Sequence, residues 1–182
     1  MKLEKILKVC LAKIGEKDFL QNESLTDSEK DTIDRLVDSF NIGYTDAVSD
    51  FMPLVVEENV AIIDKQVDCS TLEKQLIYAT KLTDRKGVKH RFRLMPTTIV
   101  TDFSGEGVLE YCYAPDRVEC GGELLDTRFT AEILADCTLA TYYFSLRSFD
   151  LASAYYDKFV LAVSKLKNKG REIKIKERRW GA

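Results

Sequence analysis

His90 is the first residue to weigh for chemistry, because imidazole moves protons and ligates metals near neutral pH and the chain has one histidine. On a strand from Val88 to Leu94 it would share a face with Val88, Phe92 and Leu94, leaving Lys89, Arg91 and Arg93 on the other. Without a second histidine at relay or metal-binding spacing, His90 reads as sheet packing, and zincin, triad and His-relay chemistry are disfavoured. Gly105-Glu106-Gly107 and Cys120-Gly121-Gly122 complete neither a P-loop nor a dinucleotide fingerprint. The 30 Asp and Glu residues fall mostly at helix starts and on polar faces, where capping and solvation account for them. The five cysteines (Cys10, Cys69, Cys112, Cys120, Cys137) form no C-x-x-C pair and no zinc spacing, and their odd number argues against a secreted disulfide framework. Reduced thiols are expected, with Cys10 and Cys137 packing on apolar helix faces. No catalytic residue, metal or cofactor is expected.

Binding chemistry is easier to find. From Lys165 to Ala182 there are eight Lys or Arg against two Glu, a local +6, which leaves −9 on residues 1–164 of a chain whose net charge is −3. The basic end carries the only Trp, and charge asymmetry of this kind marks an interaction arm. Ile173-Lys174-Ile175-Lys176 alternates apolar and basic residues, a strand pattern suited to adding to a sheet of another chain. The expected partner-binding residues are therefore Arg171, Ile173, Lys174, Ile175, Lys176, Arg178, Arg179 and Trp180. A secondary contact patch comprises Arg85, Lys86, Lys89, Arg91 and Arg93, suited to phosphates or to an acidic protein, although the negative net charge is a poor base for general nucleic-acid affinity. Tyr111, Tyr113, Tyr142, Tyr143, Tyr155 and Tyr156 fall on elements with core faces and read as boundary and interface residues.

The elements that must position these residues follow from periodicity. Leu3, Ile6, Leu7, Cys10, Leu11 and Ile14 line one face of a helix that Gly15 closes. Thr26 or Asp27 caps a second helix, whose stripe Ile33, Leu36, Val37, Phe40, Tyr44, Val48 and Phe51 runs to Pro53, with Asn41 and Gly43 as bend or break sites. From Leu54 to Val118 short Val-, Ile-, Thr- and Tyr-rich runs indicate antiparallel strands. Two hairpins are expected: Leu76–Leu82 against Val88–Leu94, and Thr97–Phe103 against Val108–Tyr113. The helical period returns in Ala131, Ile133, Leu134, Cys137, Ala140, Thr141 and Phe144, capped by Thr130 or Thr127. It continues from Asp150 in Leu151, Ala154, Tyr155, Phe159, Ala162 and Leu166, so that a short Arg147–Asp150 link makes an antiparallel pair ending at Gly170. The expected class is α+β, a helical bundle with an inserted small antiparallel β domain and an extended C-terminal arm. Its parts are N-terminal helices 1–53, a β insertion 54–122, a C-terminal helix pair 123–169 and a basic arm 170–182. No apolar run approaches the roughly 20 residues of a membrane span, and no export signal is expected at Met1-Lys2-Leu3-Glu4-Lys5.

The small-residue helix Ala131–Arg147, the run Phe149-Asp150-Leu151-Ala152-Ser153-Ala154-Tyr155-Tyr156-Asp157-Lys158-Phe159 and the closing Ile173-Lys174-Ile175-Lys176-Glu177-Arg178-Arg179-Trp180 give the chain a resemblance. It resembles the head-to-tail connector (adaptor) proteins of tailed bacteriophages, the ring beneath the portal. The N-terminal helix, Lys2 to Gly15, suits that pattern, and the Leu54–Val118 stretch resembles the adaptors that carry a small β domain. The resemblance implies a structural virion protein of the neck, not an enzyme, assembled in the host cytoplasm. It implies a homo-oligomer, a dodecameric ring, that binds the portal protein above and the next neck or tail protein below, while DNA passes through the channel without sequence-specific binding. Arg171–Trp180 would then be the arm that inserts between or beneath portal subunits, and the helix pair 131–169 the ring-forming body. The alternatives are another neck or tail-completion protein, or a non-viral interaction module.

Overall fold

A computed structural model of the chain describes residues 1–16, 25–124, 126 and 128–169. The fold is α+β, with four helices and two three-stranded antiparallel sheets among the described residues. Two compact units divide the chain: Met1–Phe40 with the residues from Cys120 onward, and Asn41–Glu119.

In the helical unit, α1 (Leu3–Ile14) buries Leu3, Ile6, Leu7, Cys10 and Leu11, the face that the spacing predicts, and Gly15 closes it at φ 90°. That backbone conformation is one that glycine adopts at little cost. Its start is tied down by Leu3 N–H donating to the Gly122 carbonyl at 3.0 Å and Leu124 N–H donating to Met1 at 2.8 Å. On α3 (Ala131–Ser145), Asp136 and Glu132 receive Lys13 at 2.6 and 3.2 Å, and Thr130 caps the helix through the Ile133 N–H. Every residue from Ile133 to Ala140 except Asp136 is buried, so α3 is enclosed around most of its circumference rather than along the single expected stripe. Phe144, expected on that stripe, is exposed.

After Leu146, Arg147 (φ 59°) and Ser148 the chain enters α4 (Phe149–Lys169), one residue before the expected Asp150. The buried seam of α4 is Ala152, Phe159 and Val163, whereas Leu151 and Ala154, expected on that side, face solvent. The parallel stack of Tyr143 on Tyr155, with centroids 5.7 Å apart, fixes the pairing of α3 with α4.

Helix α2 (Asp27–Asp46) starts with a capping box. Glu29 N–H donates to Thr26 Oγ1, and the Thr26 N–H and hydroxyl donate to Glu29 Oε2 at 2.6 and 2.7 Å. The helix runs on through Asn41 and Gly43, the expected break sites. Asn41 serves as a clamp: its Oδ1 accepts from the Val118 N–H at 2.8 Å and its Nδ2 donates to the Val118 carbonyl at 3.0 Å. The compact β unit consequently begins at Asn41 rather than at 54, taking in the π-helical turn Ala47–Phe51 that ends α2 before Pro53.

The β unit contains β1 (Val55–Ile62), β2 (Gln66–Asp68), β3 (Leu76–Asp84), β4 (Phe92–Leu94), β5 (Thr98–Thr101) and β6 (Gly105–Tyr113). The sheets have the orders β1-β6-β3 and β2-β5-β4. One cluster of Val60, Ile62, Leu82, Leu109 and Tyr111 from the first sheet with Val67 and Ile99 from the second makes a shared core. Tyr111 is fully buried, and its hydroxyl donates to Glu58 Oε2 at 2.6 Å while accepting from the Lys74 N–H. Burial, and then that bond to a carboxylate, push its pKa up to about 12.

Neither expected hairpin forms. The Thr83–Gly87 turn is made, yet beyond it only the single bridge Thr83↔Lys89 joins β3 before the chain crosses to the second sheet. The tight hairpin is β4 to β5, closed by Met95 N–H donating to the Thr98 carbonyl at 2.8 Å across Pro96. The predicted partner of β5, β6, lies instead between β1 and β3. Gly107 permits this, because a Cβ there would stand 2.7 Å from the Thr83 carbonyl oxygen and 3.1 Å from Ile62 Cδ1. Gly107→Ala is expected to cost about 1–3 kcal/mol, since a backbone atom must move to admit the methyl. A urea midpoint equal to that of the parent chain would overturn this account of β6.

Candidate functional site

Two places in the described residues combine unusual chemistry with access. The first is the α3–α4 end of the helical unit. The turn between the helices is short, so Phe144 at the end of α3 meets Phe149 at the start of α4 edge-on, with centroids 5.6 Å apart. Neither ring is covered: Phe144 is 65% exposed and Phe149 58%, and Leu146 beside them is also exposed. On α4 Leu151, Tyr156 and Leu161 are exposed too, at spacings that point them to different sides of the helix, while Lys158 lies 4.8 Å over the Tyr155 ring. Single exposed apolar residues are ordinary on a soluble surface, but Phe144, Leu146 and Phe149 stand together at the α3–α4 turn as an uncovered apolar tip. The β4–β5 hairpin carries a smaller group, Leu94, Met95 and Val100.

The second place is His90, which does not lie on a strand. Its N–H donates to the Leu82 carbonyl at 2.9 Å, its ring stacks on Phe103 at 3.8 Å, and Nδ1 stands 2.9 Å from Asp102 Oδ1. On the other side Nε2 is 3.8 Å from Asp84 Oδ2 and has no hydrogen-bond partner. Asp84 also accepts from the Lys86 and Val88 amides at 2.8 and 2.9 Å. His90 thus ties the β3–β4 turn to the end of β5, a role that neither carboxylate's distance in sequence announces. Hydrogen bonds from the Val88 and Lys86 amides, with the nearby His90, hold the Asp84 carboxyl below the ordinary range. The bond from His90 does the same for Asp102. The cluster brings together an imidazole, two carboxylates and the Thr101 hydroxyl, which donates to Asp102 Oδ1 at 3.4 Å. No group of three His, Cys, Asp or Glu among the described residues has the geometry of a metal site.

The secondary patch is exposed at all five positions, Arg85, Lys86, Lys89, Arg91 and Arg93. Arg85 is ion-paired with Glu106, whereas Lys86, Lys89, Arg91 and Arg93 make no ion pair among the described residues. Only Arg93 belongs to a strand proper, so the alternating strand face expected for Lys89, Arg91 and Arg93 is replaced by an irregular crossing segment. The arm residues Arg171, Ile173, Lys174, Ile175, Lys176, Arg178, Arg179 and Trp180 lie outside the described residues. Of the cysteines, Cys10 is buried under α3, and burial pushes its thiol up to about 12, which keeps it a packing residue.

No family model matches the chain, and no curated protein matches it. No helix among the described residues is long and apolar enough to cross a membrane.

Because both carboxyls sit below the ordinary Asp value in the folded chain, their contribution to stability is present above that value and is lost as pH falls through the folded one. The Lys86 and Val88 amide resonances are expected to titrate together with a midpoint below about 3.9. In His90→Ala the Asp102 midpoint should move up toward that value. An Asp102 titration indifferent to loss of the imidazole would remove the assigned cause.

Proposed function

We propose that this chain is a structural protein of a bacteriophage neck, a subunit of a ring that attaches to the portal and connects the DNA-filled head to the tail. One observation carries the proposal. The helix pair that the resemblance makes the ring-forming body carries Phe144, Leu146, Phe149, Leu151, Tyr156 and Leu161 uncovered in the single chain. Phe144, Leu146 and Phe149, grouped at the α3–α4 turn, are favoured against a neighbouring subunit, and each large side chain removed from water contributes about 1.5–3 kcal/mol.

In this proposal the chain is not an enzyme and takes no cofactor. It assembles in the host cytoplasm into a homo-oligomer, a dodecameric ring, and resides in the virion at the head–tail interface. The arm Arg171–Trp180 grips the portal or the adjacent subunit, the lower face meets the next neck or tail protein, and DNA passes through a channel whose acidic surroundings do not hold phosphates. The uncovered helix pair would equally suit another neck or tail-completion protein, or a non-viral interaction module, and binding to portal rings separates these.

Native mass spectrometry and negative-stain microscopy of the full chain should show rings, or chains docked on portal rings. Phe144→Ser with Phe149→Ser should leave the unfolding free energy within about 0.5 kcal/mol of the parent's, because both rings already face water, and should abolish ring formation. Deleting residues 171–182 should leave the fold intact and abolish portal docking. A chain that stays monomeric and ignores portal rings would sink the neck assignment, and rings that persist in the double Ser variant would sink the role of the helix pair.

A further inference from the structure

Strand β1 is an edge of its sheet, and among the described residues no strand pairs with its outer side. It keeps unbroken antiparallel register with β6 over all eight positions, Val55↔Cys112 to Ile62↔Gly105, and carries neither proline nor a basic residue. Edges of that length in folded proteins are normally blunted by bulges, charges or prolines; β3, the opposite edge, shows two register shifts, whereas β1 has no bulge and its only charges, Glu57 and Glu58, are acidic, which turn away acidic strands and admit a basic one.

Across the outer face of this sheet Lys81 on β3 stands beside Glu110 on β6, and Glu110 stands directly opposite Glu57 on β1. Like charges in direct cross-strand register oppose pairing, and neither glutamate makes an ion pair among the described residues. The row therefore reads cation, anion, anion, and then stops at an exposed Glu57 with the strand edge open. On the inner face the same strand presents Val56 and Val60 toward the core.

We infer that the outer edge of β1 receives the C-terminal segment 171–176 of a second copy of this chain as an added strand. The inference rests on the assignment of residues 171–180 as an interaction arm and names the surface that takes it. A strand added beside β1 with Lys174 or Lys176 next to Glu57 completes the charge row. The alternation Ile173-Lys174-Ile175-Lys176 then directs its isoleucines to the face of Val56 and Val60, at the margin of the core. The partner is a second copy because the chain is complementary to itself: residues 1–164 carry −9 and the basic end carries +6. A contact between one copy's end and the next copy's edge is heterologous, the kind that closes into rings when the rotation permits.

The test is charge exchange in the full-length chain, read by native mass spectrometry at low ionic strength, where exposed pairs are least screened. The parent chain should associate. Glu57→Lys should weaken that association on the order of tenfold, Lys174→Glu with Lys176→Glu should do the same, and the combined variant should regain most of the loss. Backbone amides of β1 should become protected from hydrogen exchange in the associated parent and not in either reversed form. A parent that remains monomeric, reversed variants that associate as the parent does, or a combined variant without recovery would each overturn the inference. Portal-ring binding by the same Glu57→Lys protein tells the two readings apart: docking that survives leaves the neck assignment standing while this contact is discarded.

Discussion

The enclosure of α3 is the constraint on which the helical unit depends. Seven of the eight residues from Ile133 to Ala140 are buried, with α1 and α4 both packed on the helix. Such a helix has no polar face to spare, which is why its Thr138 hydroxyl turns back to the Leu134 carbonyl at 2.7 Å. The one acid on the enclosed stretch, Asp136, is met by Lys13 of α1. Because α3 takes the central place, α4 is an outer layer held by the seam Ala152, Phe159 and Val163 together with the Tyr143–Tyr155 stack. Phe149, Leu151, Tyr156 and Leu161 of α4 are left exposed in the single chain, and of these Phe149 joins Phe144 at the turn.

In the β unit the corresponding constraint is the central position of β6. It must lie against β1 on one side and β3 on the other, and the approach to β3 leaves no room for a side chain at Gly107. Tyr111, two turns of the pleat further along, fills the centre of the core, yet brings a hydroxyl that must be satisfied there. Glu58 meets it from β1 and also accepts from the Glu73 amide, so one half-buried carboxylate joins the edge strand, the central strand and the segment leading into β3. An inward carboxylate on an edge strand is tolerable only because each of these donors is fixed by the fold.

Local signals in the sequence carried the helices well and the sheet topology poorly, and the difference is physical. The α1 face and its Gly15 stop, the Thr26 cap and the Thr130 cap are encoded within a few residues of where they act. Strand partners are not: β6 pairs with β1 across some fifty residues, and the β4–β5 hairpin turns at Pro96, between the two glycine-containing turns at 83–87 and 104–107. The same limit hid the His90 cluster. Asp84 and Asp102 have no motif spacing to His90, and they meet it only because the chain crosses between sheets where a simple hairpin was expected. The buried seam of α4 differs from the expected stripe for another reason. Leu151 and Ala154 fit the period as well as Ala152 does, and periodicity cannot tell an apolar residue that the fold buries from one that it leaves exposed.

Charge is distributed so that binding surfaces of opposite sign occupy different elements. The β3–β4 crossing segment and β4 present Lys86, Lys89, Arg91 and Arg93 outward, yet Asp84 at the end of β3 and Asp102 just after β5 are committed to His90 and to turn amides rather than to those cations. The cations stay available while the turn that carries them is held by its own acids. On β1 the reverse holds: Glu57 is exposed beside Glu110, and the nearest basic residue in the row, Lys81, is separated from it by a strand. Exposed ion pairs contribute little individually, so neither arrangement is explained by stability of the single chain. Their worth lies in register. An unmatched row of charge beside an open strand edge accepts a basic strand in some alignments and rejects it in others, which is what an ordered assembly of identical subunits requires of a contact formed by an otherwise nonspecific backbone ladder.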